Sequence, residues 1–451
     1  MANIIYKYLH LANYKDIPNW SVQYADEEDL GFTRKYPMAR IGSFLVKSKD
    51  TIEVQDDIEY KQVTIKIGNG GVVPRNNGET ILGSKIGTKR QHVVHAGQFI
   101  MSKIDARNGA YGIVPAELEG AIVTNDFPVF DVDASKIIPL FLVLVSTTEK
   151  FIEFARKCSS GTTNRKRIDI DAFLNQQIPL PSIEEQERIL REYNTTINDS
   201  KRIEKIIEKY EKNIFTFLQK ELNVEAIEES HNEQNKLLSF ATLSSMARWD
   251  CYNTSYFLSN RKMEKTIGQL VKNKPFYGAP YSAIKYDGEI RYIRITDINE
   301  DGNLAEEMVS ANAYNETYLL KENDFLIARS GNTVGKTFLY SSEYGPAIFA
   351  GYLIKFELND KIIIPQYLLI YTKSPLFKKW INSNMRVSAQ PNINSKQYLD
   401  APIIVPDMEV QEKIVKYAQE MRSKINTLRK DMEQLKANAT IKFNEYLFGE
   451  S

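Results

Sequence analysis

The chain is 451 residues long, more than one ordinary domain requires, and this length suggests about two to four domains. Hydrophobic residues make up 43% of the chain and aromatic residues 11%, which excludes a wholly disordered protein. Lysine and arginine together number 58, as do aspartate and glutamate, so any attraction for a polyanion has to be local.

Three further features of the sequence bear on the cellular compartment of the protein. The start MANIIYKYLH lacks the charged and then apolar order of a signal peptide. The longest apolar stretch, IIPLFLVLV at 137–145, is far shorter than a membrane span and contains Pro139. Cys158 and Cys251 have neither metal-type partners nor a disulfide framework, as is typical of a reducing compartment. We therefore expect a soluble cytoplasmic protein.

The predicted elements follow the same order twice. In the first half, β-type runs such as YKQVTIKI are separated by Gly, Asn and Pro turns and followed by a helix, LFLVLVSTTEKFIEFARK. A polar loop, a long helix at 182–222 and a polar linker at 223–247 come next. The second half has β-type runs such as NDFLIARS, a helix, QYLLIYTKSPLFKKWIN, and a long helix at 407–451. We predict mixed domains at 1–181 and 248–406.

An internal repeat accounts for this order. Gly42 aligns with Gly268, 226 residues further on, and the register slips slightly before Gln186 aligns with Gln411. The other matching pairs are Phe99 and Phe325, Gly109 and Gly335, Phe130 and Phe356, Pro139 and Pro365, and Trp20 and Trp249. Solenoid repeats run about 20–50 residues, so this period indicates duplication of a whole domain together with its helix.

Both long helices carry heptad seams. In the second, apolar residues recur four and three positions apart, at Ile414, Ala418, Met421, Ile425, Leu428, Met432, Leu435 and Ala439. The first has the same pattern at Ile203, Ile207, Tyr210, Ile214 and Phe217. Such seams predict that the helices pair as a coiled coil, each roughly 60 Å long at 1.5 Å per residue. The alternative is that each helix packs only on its own globular domain.

The stretch ARSGNTVGKT resembles a phosphate-binding loop without matching one. The pattern G-x-x-x-x-G-K-T requires a glycine at the position of Ser330, and Gly331 leaves the loop one residue short. The following TFLYSSEY favours a strand, whereas a phosphate-binding loop begins a helix. We expect a β-hairpin turn here.

Other catalytic patterns are missing from the sequence. The histidines, His10, His92, His95 and His231, do not form a ligand set, and there is no Ser/His/Asp pattern. No glycine-rich strand-to-helix motif for a dinucleotide or S-adenosylmethionine is evident. We therefore expect no catalytic residue, no metal and no cofactor in this chain.

Basic and amide side chains gather in glycine-containing loops, as phosphate contact and base reading require. In the first half these candidates are Arg75, Asn76, Lys85, Lys89, Arg90, Lys103, Arg107, Arg165, Lys166 and Arg167. In the second half they are Lys274, Tyr277, Arg291, Arg294, Arg329, Asn332, Lys336, Arg386, Gln390 and Asn392. The alternative is a solvated surface, since lysine and arginine are mostly exposed. Clustering in both repeats favours nucleic acid.

The duplication has a physical consequence. Antiparallel pairing of the long helices would relate the two domains by a pseudo-twofold axis, so one chain would imitate a dimer reading two DNA half-sites. Two unlike domains would read an asymmetric site. The similar helix starts, PLPSIEEQERIL and IVPDMEVQEKIV, would give a partner two docking places. The candidate partner-binding residues are Glu185, Gln186, Arg188, Gln411 and Lys413.

This combination resembles the specificity subunit of type I restriction–modification systems over nearly the whole chain. The resemblance is carried by the two helix starts, the stretches RWDCYNTSYF and ARSGNTVGK, and the order of two domains and two helices. It implies an α+β fold with two homologous target-recognition domains and two antiparallel helical spacers. Val410 stands where Glu185 does in the first copy, so we expect docking surfaces of unequal strength.

The resemblance also implies partners. These are double-stranded DNA, two modification subunits that use S-adenosylmethionine to methylate adenine, and restriction subunits that use ATP and magnesium to translocate DNA. The chain itself would be non-catalytic. Two alternatives remain open at this point: a coiled-coil adaptor without DNA specificity, and a nucleotide-using enzyme built around Gly335, Lys336 and Thr337.

Overall fold

The computed structural model describes residues 30–67, 71–161, 166–224, 264–385 and 391–449. The chain forms two compact units. Unit 1 comprises Met1–Arg202 and Asp431–Ser451, and unit 2 comprises Ile203–Lys430. The boundary falls inside two long helices, so each helix contributes residues to both units.

Unit 1 is built on short antiparallel strands. Its largest sheet has the order β10-β9-β12-β2, and a second sheet has the order β11-β8-β3. The strands are β1 (Met38–Arg40), β2 (Leu45–Lys47), β3 (Thr51–Glu53), β4 (Glu59–Tyr60), β5 (Val63–Ile65), β6 (Val72–Pro74), β7 (Ile81–Leu82), β8 (Arg90–Val93), β9 (Phe99–Met101), β10 (Tyr111–Ile113), β11 (Ile122–Val123), β12 (Val129–Val132), β13 (Ser159–Ser160), β14 (Arg167–Ile168) and β15 (Gln177–Pro179). Strand β15 returns to pair with β1, which brings the end of the domain beside its beginning.

Three short helices cover the largest sheet of unit 1, and a long helix follows them. They are α1 (Pro139–Ser146), α2 (Glu149–Lys157), α3 (Ile170–Asn175) and the long α4 (Ile183–Glu221). Pro139 begins α1 where its missing N–H costs nothing. Thr148 and Asp169 cap α2 and α3 by accepting hydrogen bonds from backbone amides.

Phe173 of α3 lies at the centre of the core of unit 1. Its ring is fully buried, with ring centroids 6.0–6.2 Å from those of Phe99, Tyr111, Phe130 and Phe151. These side chains come from β9, β10, β12 and α2. The aromatic cluster therefore fixes α3, and with it the chain entering α3, against the end of the central strand β9.

Unit 2 repeats this plan with fewer strands. Its main sheet has the order β17-β24-β21-β22, and β19 and β23 form a parallel pair. The strands are β16 (Glu264–Thr266), β17 (Phe276–Tyr277), β18 (Ala283–Lys285), β19 (Arg291–Ile293), β20 (Val309–Ala311), β21 (Phe325–Ala328), β22 (Thr337–Leu339), β23 (Ala347–Phe349), β24 (Leu353–Phe356) and β25 (Pro402–Ile404). The helices are α5 (Pro365–Tyr371), α6 (Pro375–Asn384), α7 (Ser395–Leu399) and the long α8 (Met408–Phe448).

The predicted repeat is confirmed in the elements that frame each unit. Strand β25 pairs with β16 as β15 pairs with β1, and Pro365 begins α5 as Pro139 begins α1. Gly109 and Gly335 both have positive φ, 82° and 86°. A side chain at either glycine would press on an isoleucine of the following helix pair, so the tight turn requires glycine in both copies.

Antiparallel pairing of the long helices is confirmed within each unit. In unit 1, the rings of Tyr193 on α4 and Phe443 on α8 lie 6.0 Å apart. In unit 2, the rings of Phe217 on α4 and Tyr417 on α8 stack at 4.0 Å. A second contact in each unit gives the direction: Arg188 donates to Tyr446 in unit 1, and Arg429 donates to Glu211 in unit 2. Within each unit, residue numbers therefore rise along one helix as they fall along the other, as antiparallel pairing requires.

The seam residues also pack on the globular part of unit 2. Ile414, Ala418, Met421 and Ile425 are buried in one cluster with the strands and with α5. Met432 and Leu435 are only half buried. The alternative, in which each long helix packs only on its own globular domain, is therefore wrong. The helices pack on each other as well as on the globular domain. Among the described residues, no helix has the length and apolar character needed to cross a membrane.

Candidate nucleic-acid interface

The repeated helix start is a structural joint. The Gln186 side chain is fully buried at the first turn of α4. Its Oε1 accepts a hydrogen bond from the Ile138 amide at 2.8 Å. Its Nε2 donates to the carbonyls of Lys136 at 3.0 Å and Pro181 at 2.9 Å. One amide thus ties the start of the long helix to the chain entering α1.

Gln411 makes the same three bonds in unit 2. Its Oε1 accepts from the Ile364 amide at 2.8 Å, and its Nε2 donates to the carbonyls of Ile362 at 3.1 Å and Pro406 at 2.9 Å. Both glutamines are fully buried. This burial contradicts the prediction that Gln186 and Gln411 contact a partner, because their polar atoms are already bonded inside their own unit.

The other predicted partner-binding residues differ between the copies. Arg188 donates to Glu185 at 2.7 and 2.8 Å and to the Tyr446 hydroxyl at 3.2 Å, and Tyr36 also donates to Glu185. The Arg188 hydrogen bonds lower the pKa of Glu185 to about 2. In unit 2, Lys413 lies 2.8 Å from the Glu221 carboxylate. The two helix starts therefore present different surfaces.

In unit 2, three predicted residues converge. Arg329 follows β21, and its guanidinium lies 4.9 Å from the centre of the Tyr277 ring. Asn392 precedes Ile393, whose amide donates to the Arg329 carbonyl at 2.9 Å. Arg329 Nε and Asn392 Oδ1 are buried and have no hydrogen-bond partner among the described residues. The Tyr277 hydroxyl donates to Ser395 Oγ at 2.9 Å, which fixes the ring against the start of α7.

In unit 1, Lys103 occupies the corresponding position after β9. The Ile168 amide donates to the Lys103 carbonyl at 2.9 Å, the counterpart of the bond between Ile393 and Arg329. Burial, and then the charge of Lys47, lower the pKa of Lys103. Arg167 donates to both carboxylate oxygens of Asp126, at 2.9 and 3.2 Å. Lys166 beside it is exposed.

The two units therefore share one basic position. In each, a cation follows the central strand of the main sheet and lies beside the chain entering α3 or α7. Phe173 and Tyr398 fix these two helices; the Tyr398 hydroxyl donates to the Ala328 carbonyl at 2.8 Å, just before Arg329. The positive charge of Lys103 or Arg329 suits this position to contact with an anionic polymer. The side chains around that charge differ between the two copies.

Sequence reasoning missed two participants. Asp126, which pairs with Arg167, left no sequence signal, because it lies 41 residues from its partner. Ser395 could have been found, since Asn394 and Gln397 form a capping box readable as N-x-x-Q before an apolar residue.

Several predicted residues in unit 1 lie on other turns. Arg75 and Asn76 are exposed at a turn after β6, and Lys85 and Arg90 are exposed near β8. Lys89 is bonded to Asp56 and to the Gly83 carbonyl. Arg107 is half buried near α2. Arg165 lies outside the described residues.

The remaining predicted residues of unit 2 are divided. Lys274 is exposed. Arg291 is 7% exposed and donates to the Ala305 carbonyl, so its burial contradicts the prediction that it contacts DNA. Arg294 donates to Asp297 at 2.7 Å. Asn332 and Lys336 line one cleft, described below. Arg386 and Gln390 lie outside the described residues.

The ARSGNTVGKT stretch forms the expected hairpin. Strands β21 and β22 pair antiparallel across it, and Thr337 begins a strand rather than a helix. Within the described ranges, no group of three or more His, Cys, Asp or Glu side chains is arranged to hold a metal ion.

Parts of this chain are similar in sequence to known proteins. The family model described as "Type I restriction modification DNA specificity domain" matches residues 35–212 and 261–437. The two matches begin 226 residues apart, the offset of the internal repeat. The type I restriction enzyme EcoBI specificity subunit of Escherichia coli is 22% identical over 147 residues, which span 32% of this chain and 31% of that protein.

Three solved structures are similar over most of the chain. One, from a study of complex assembly and conformational transition of the type I R-M system, is 17% identical with a TM-score of 0.47, covering 92% of this chain and 98% of that one. The HsdS subunit from Thermoanaerobacter tengcongensis is 16% identical with a TM-score of 0.35, covering 93% and 98%. The type I S subunit from M. genitalium is 13% identical with a TM-score of 0.39, covering 92% and 97%.

Proposed function

This chain belongs to the type I restriction modification DNA specificity family, which it matches twice, and from that premise we propose that it is the DNA sequence-recognition subunit of a type I restriction–modification complex. Each unit reads one part of a two-part DNA site. The observation that carries this proposal is the shared basic position after the central strand, occupied by Lys103 in unit 1 and Arg329 in unit 2.

Different side chains at corresponding positions support an asymmetric site. Unit 2 combines Arg329 with Asn392 and Tyr277, whereas unit 1 combines Lys103 with Arg167 and Lys166. Arginine and asparagine pair with different base edges, guanine and adenine respectively, while lysine and arginine also bind phosphates. Two readers with different donors and acceptors therefore select different half-sites.

The partners follow from the family. We infer that two modification subunits, which bind S-adenosylmethionine and methylate adenine, dock on this chain, and that restriction subunits use ATP and magnesium. The chain itself contributes recognition without catalysis, in the cytoplasm. Domains at 1–181 and 248–406 act as target-recognition domains, and the long helices act as spacers. The docking residues are Glu185, Arg188 and Lys413 rather than the buried glutamines.

Methylation mapping tests the function directly. Genomes of a host with and without this chain, both carrying the modification subunit, are sequenced for methylated adenine. We expect a bipartite, asymmetric methylated motif that is lost with the chain. An unchanged set of methylated sites, together with no salt-sensitive DNA binding by the assembled complex, would leave the coiled-coil adaptor as the better account.

A further inference from the structure

A polar cleft in unit 2 belongs neither to the basic position after β21 nor to the helix joint. It has a volume of about 170 Å³ and lies between the hairpin turn after Arg329 and helix α6. Its polar rim comprises Asn332, Lys336, Lys378 and Asn382, and its inner wall includes Lys373. Since a water occupies about 30 Å³, the cleft has room for one tetrahedral oxyanion and some water.

The charges around the cleft are mostly positive. Lys378 is exposed and has no ion-pair partner among the described residues. Lys336, whose side chain is 23% exposed, lies 2.9 Å from Glu300, whose side chain is 77% exposed, so the carboxylate of this pair is largely solvated and can turn toward water. Lys336 Nζ also donates to the Ile298 carbonyl at 3.4 Å, and its ammonium group lines the same space as that of Lys378 and the two side-chain amides.

Lys373 adds a buried amine behind this rim. Its Nζ is buried and has no hydrogen-bond partner among the described residues. A Cβ added at Gly302 would collide with this Nζ, so a side chain could not be accommodated there. Burial, followed by the charge of Arg422, lowers the pKa of Lys373 to about 7, and Asp301, Glu300 and Lys378 act on it more weakly. An anion in the cleft would favour the protonated form of Lys373 and compensate its charge.

The fold does not require these cations. In unit 1, the positions corresponding to Asn332, Lys336 and Lys373 at the repeat offset hold Ala106, Ala110 and Thr147. Ala106 and Ala110 are fully buried and apolar, and the positions of Lys378 and Asn382 hold Ile152 and Arg156. Of these five positions, only that of Asn382 has a charged counterpart in unit 1, so this set of lysines and amides is particular to unit 2.

We propose that the cleft between the hairpin turn and α6 binds a phosphate group, held by Lys336 and Lys378 with the amides of Asn332 and Asn382. Ammonium and amide donors around an oxyanion form charge-assisted hydrogen bonds. The phosphate is either free in solution or part of the DNA backbone. Only the second source depends on the proposed function.

The test uses the full chain and two probes. Lys378→Gln removes an exposed charge of the rim, and Lys361→Gln, an exposed lysine outside the cleft, is the matched control. Inorganic phosphate binding is followed by ³¹P line broadening. Binding of a duplex containing the site is followed by anisotropy over a salt series. Thermal melts verify that each variant is folded.

A free phosphate site predicts that Lys378→Gln weakens inorganic phosphate binding about fivefold or more while duplex binding is unchanged. A backbone phosphate predicts weaker duplex binding and a salt slope lower by about 1, with no phosphate broadening in any variant. The proposal is overturned when Lys378→Gln matches Lys361→Gln with both probes. Failure of the unsubstituted chain to bind any duplex would count against the proposed function and the backbone-phosphate source, whereas the ³¹P probe would still decide the free-phosphate source.

Discussion

At the scale of single residues, Gln186 and Gln411 explain why one short motif occurs twice. Each satisfies one backbone N–H and two carbonyls with a single buried amide. Glutamine is suited to this because its side chain offers both an acceptor and two donors. The neighbouring Glu185 and Val410 differ because they lie outside this joint.

Replacing Gln186 with leucine keeps much of the volume and removes the amide. The Ile138 N–H and two carbonyls then lose their partner, and we expect unit 1 to lose about 1–3 kcal/mol of unfolding free energy. Hydrogen exchange by mass spectrometry should show faster exchange of the Ile138 amide. Gln177→Leu, at an exposed position on β15, is the control. Unaltered exchange at Ile138 would contradict the proposed joint.

Glu185 gives a pH-dependent test. Its pKa falls from 4.5 to about 2 in the folded chain because Arg188 and Tyr36 donate to it. A depressed carboxyl pKa stabilises the fold above about 4.5, and this contribution is lost as pH falls toward 2. The melting temperature of the original chain should therefore exceed that of Glu185→Gln near neutral pH, and the gap should close in acid. The exposed Glu187→Gln serves as the control; a gap independent of pH would rule out the ion pair as its cause.

At the scale of elements, the sequence predicted the long helices and one hairpin, but not how the strands bring distant side chains together. The heptad seams predicted both long helices and their pairing as a coiled coil, the resemblance to the family implied the antiparallel direction, and the turn chemistry predicted the hairpin after β21. The convergence of Tyr277, Arg329 and Asn392 could not be derived, because it depends on which strands pair across the sheet. The burial of Arg291 was missed for the same reason: an arginine in a polar run gives no sign of which way its strand faces.

The helix seam predicts a contrast between two residues of α4 in unit 2. Leu218 is fully buried against α8 and the strands, whereas Ile206 is 41% exposed on the same helix. Leu218→Ala should cost about 2–5 kcal/mol of unfolding free energy. Ile206→Ala should cost about 1 kcal/mol or less, because little apolar surface is uncovered. Urea unfolding compares the two, and equal costs would mean that the buried face is assigned incorrectly.

At the scale of the whole molecule, duplication followed by divergence is the main feature. The repeat keeps the joint, the tight glycine turns and the aromatic anchor of the short helix before each long helix. It varies the side chains at the basic position after β9 and β21. Aligning the two halves of the chain could separate the residues that both copies retain from those that differ. The retained residues maintain the fold, and the residues that differ are available for recognition.

If each unit reads its own half-site, a substitution in one unit should change only that half of the methylated motif. Arg329→Ala should relax or alter one half of the methylated motif about tenfold or more, since a good base contact contributes about 1–3 kcal/mol. Lys103→Ala should affect the other half. Methylated-site sequencing of hosts carrying each variant measures both, with the exposed Lys361→Ala as control. If either substitution changed both halves alike, the assignment of one half-site to each unit would be wrong.

The last turns of α8 complete the core of unit 1. Phe443 and Leu447 are buried there, Phe448 stacks on Phe32 at 5.0 Å, and the Thr33 amide donates to the Leu447 carbonyl at 2.7 Å. A ribosome releases Arg202 roughly 230 residues before Asp431, on the order of 10–50 s earlier at usual rates of synthesis. The part of unit 1 that is made first therefore keeps its apolar groove open until residues 431–449 have been made. A premature stop near residue 430 would leave that groove permanently uncovered. We expect such a truncated chain to be bound by chaperones or degraded rather than assembled into a complex.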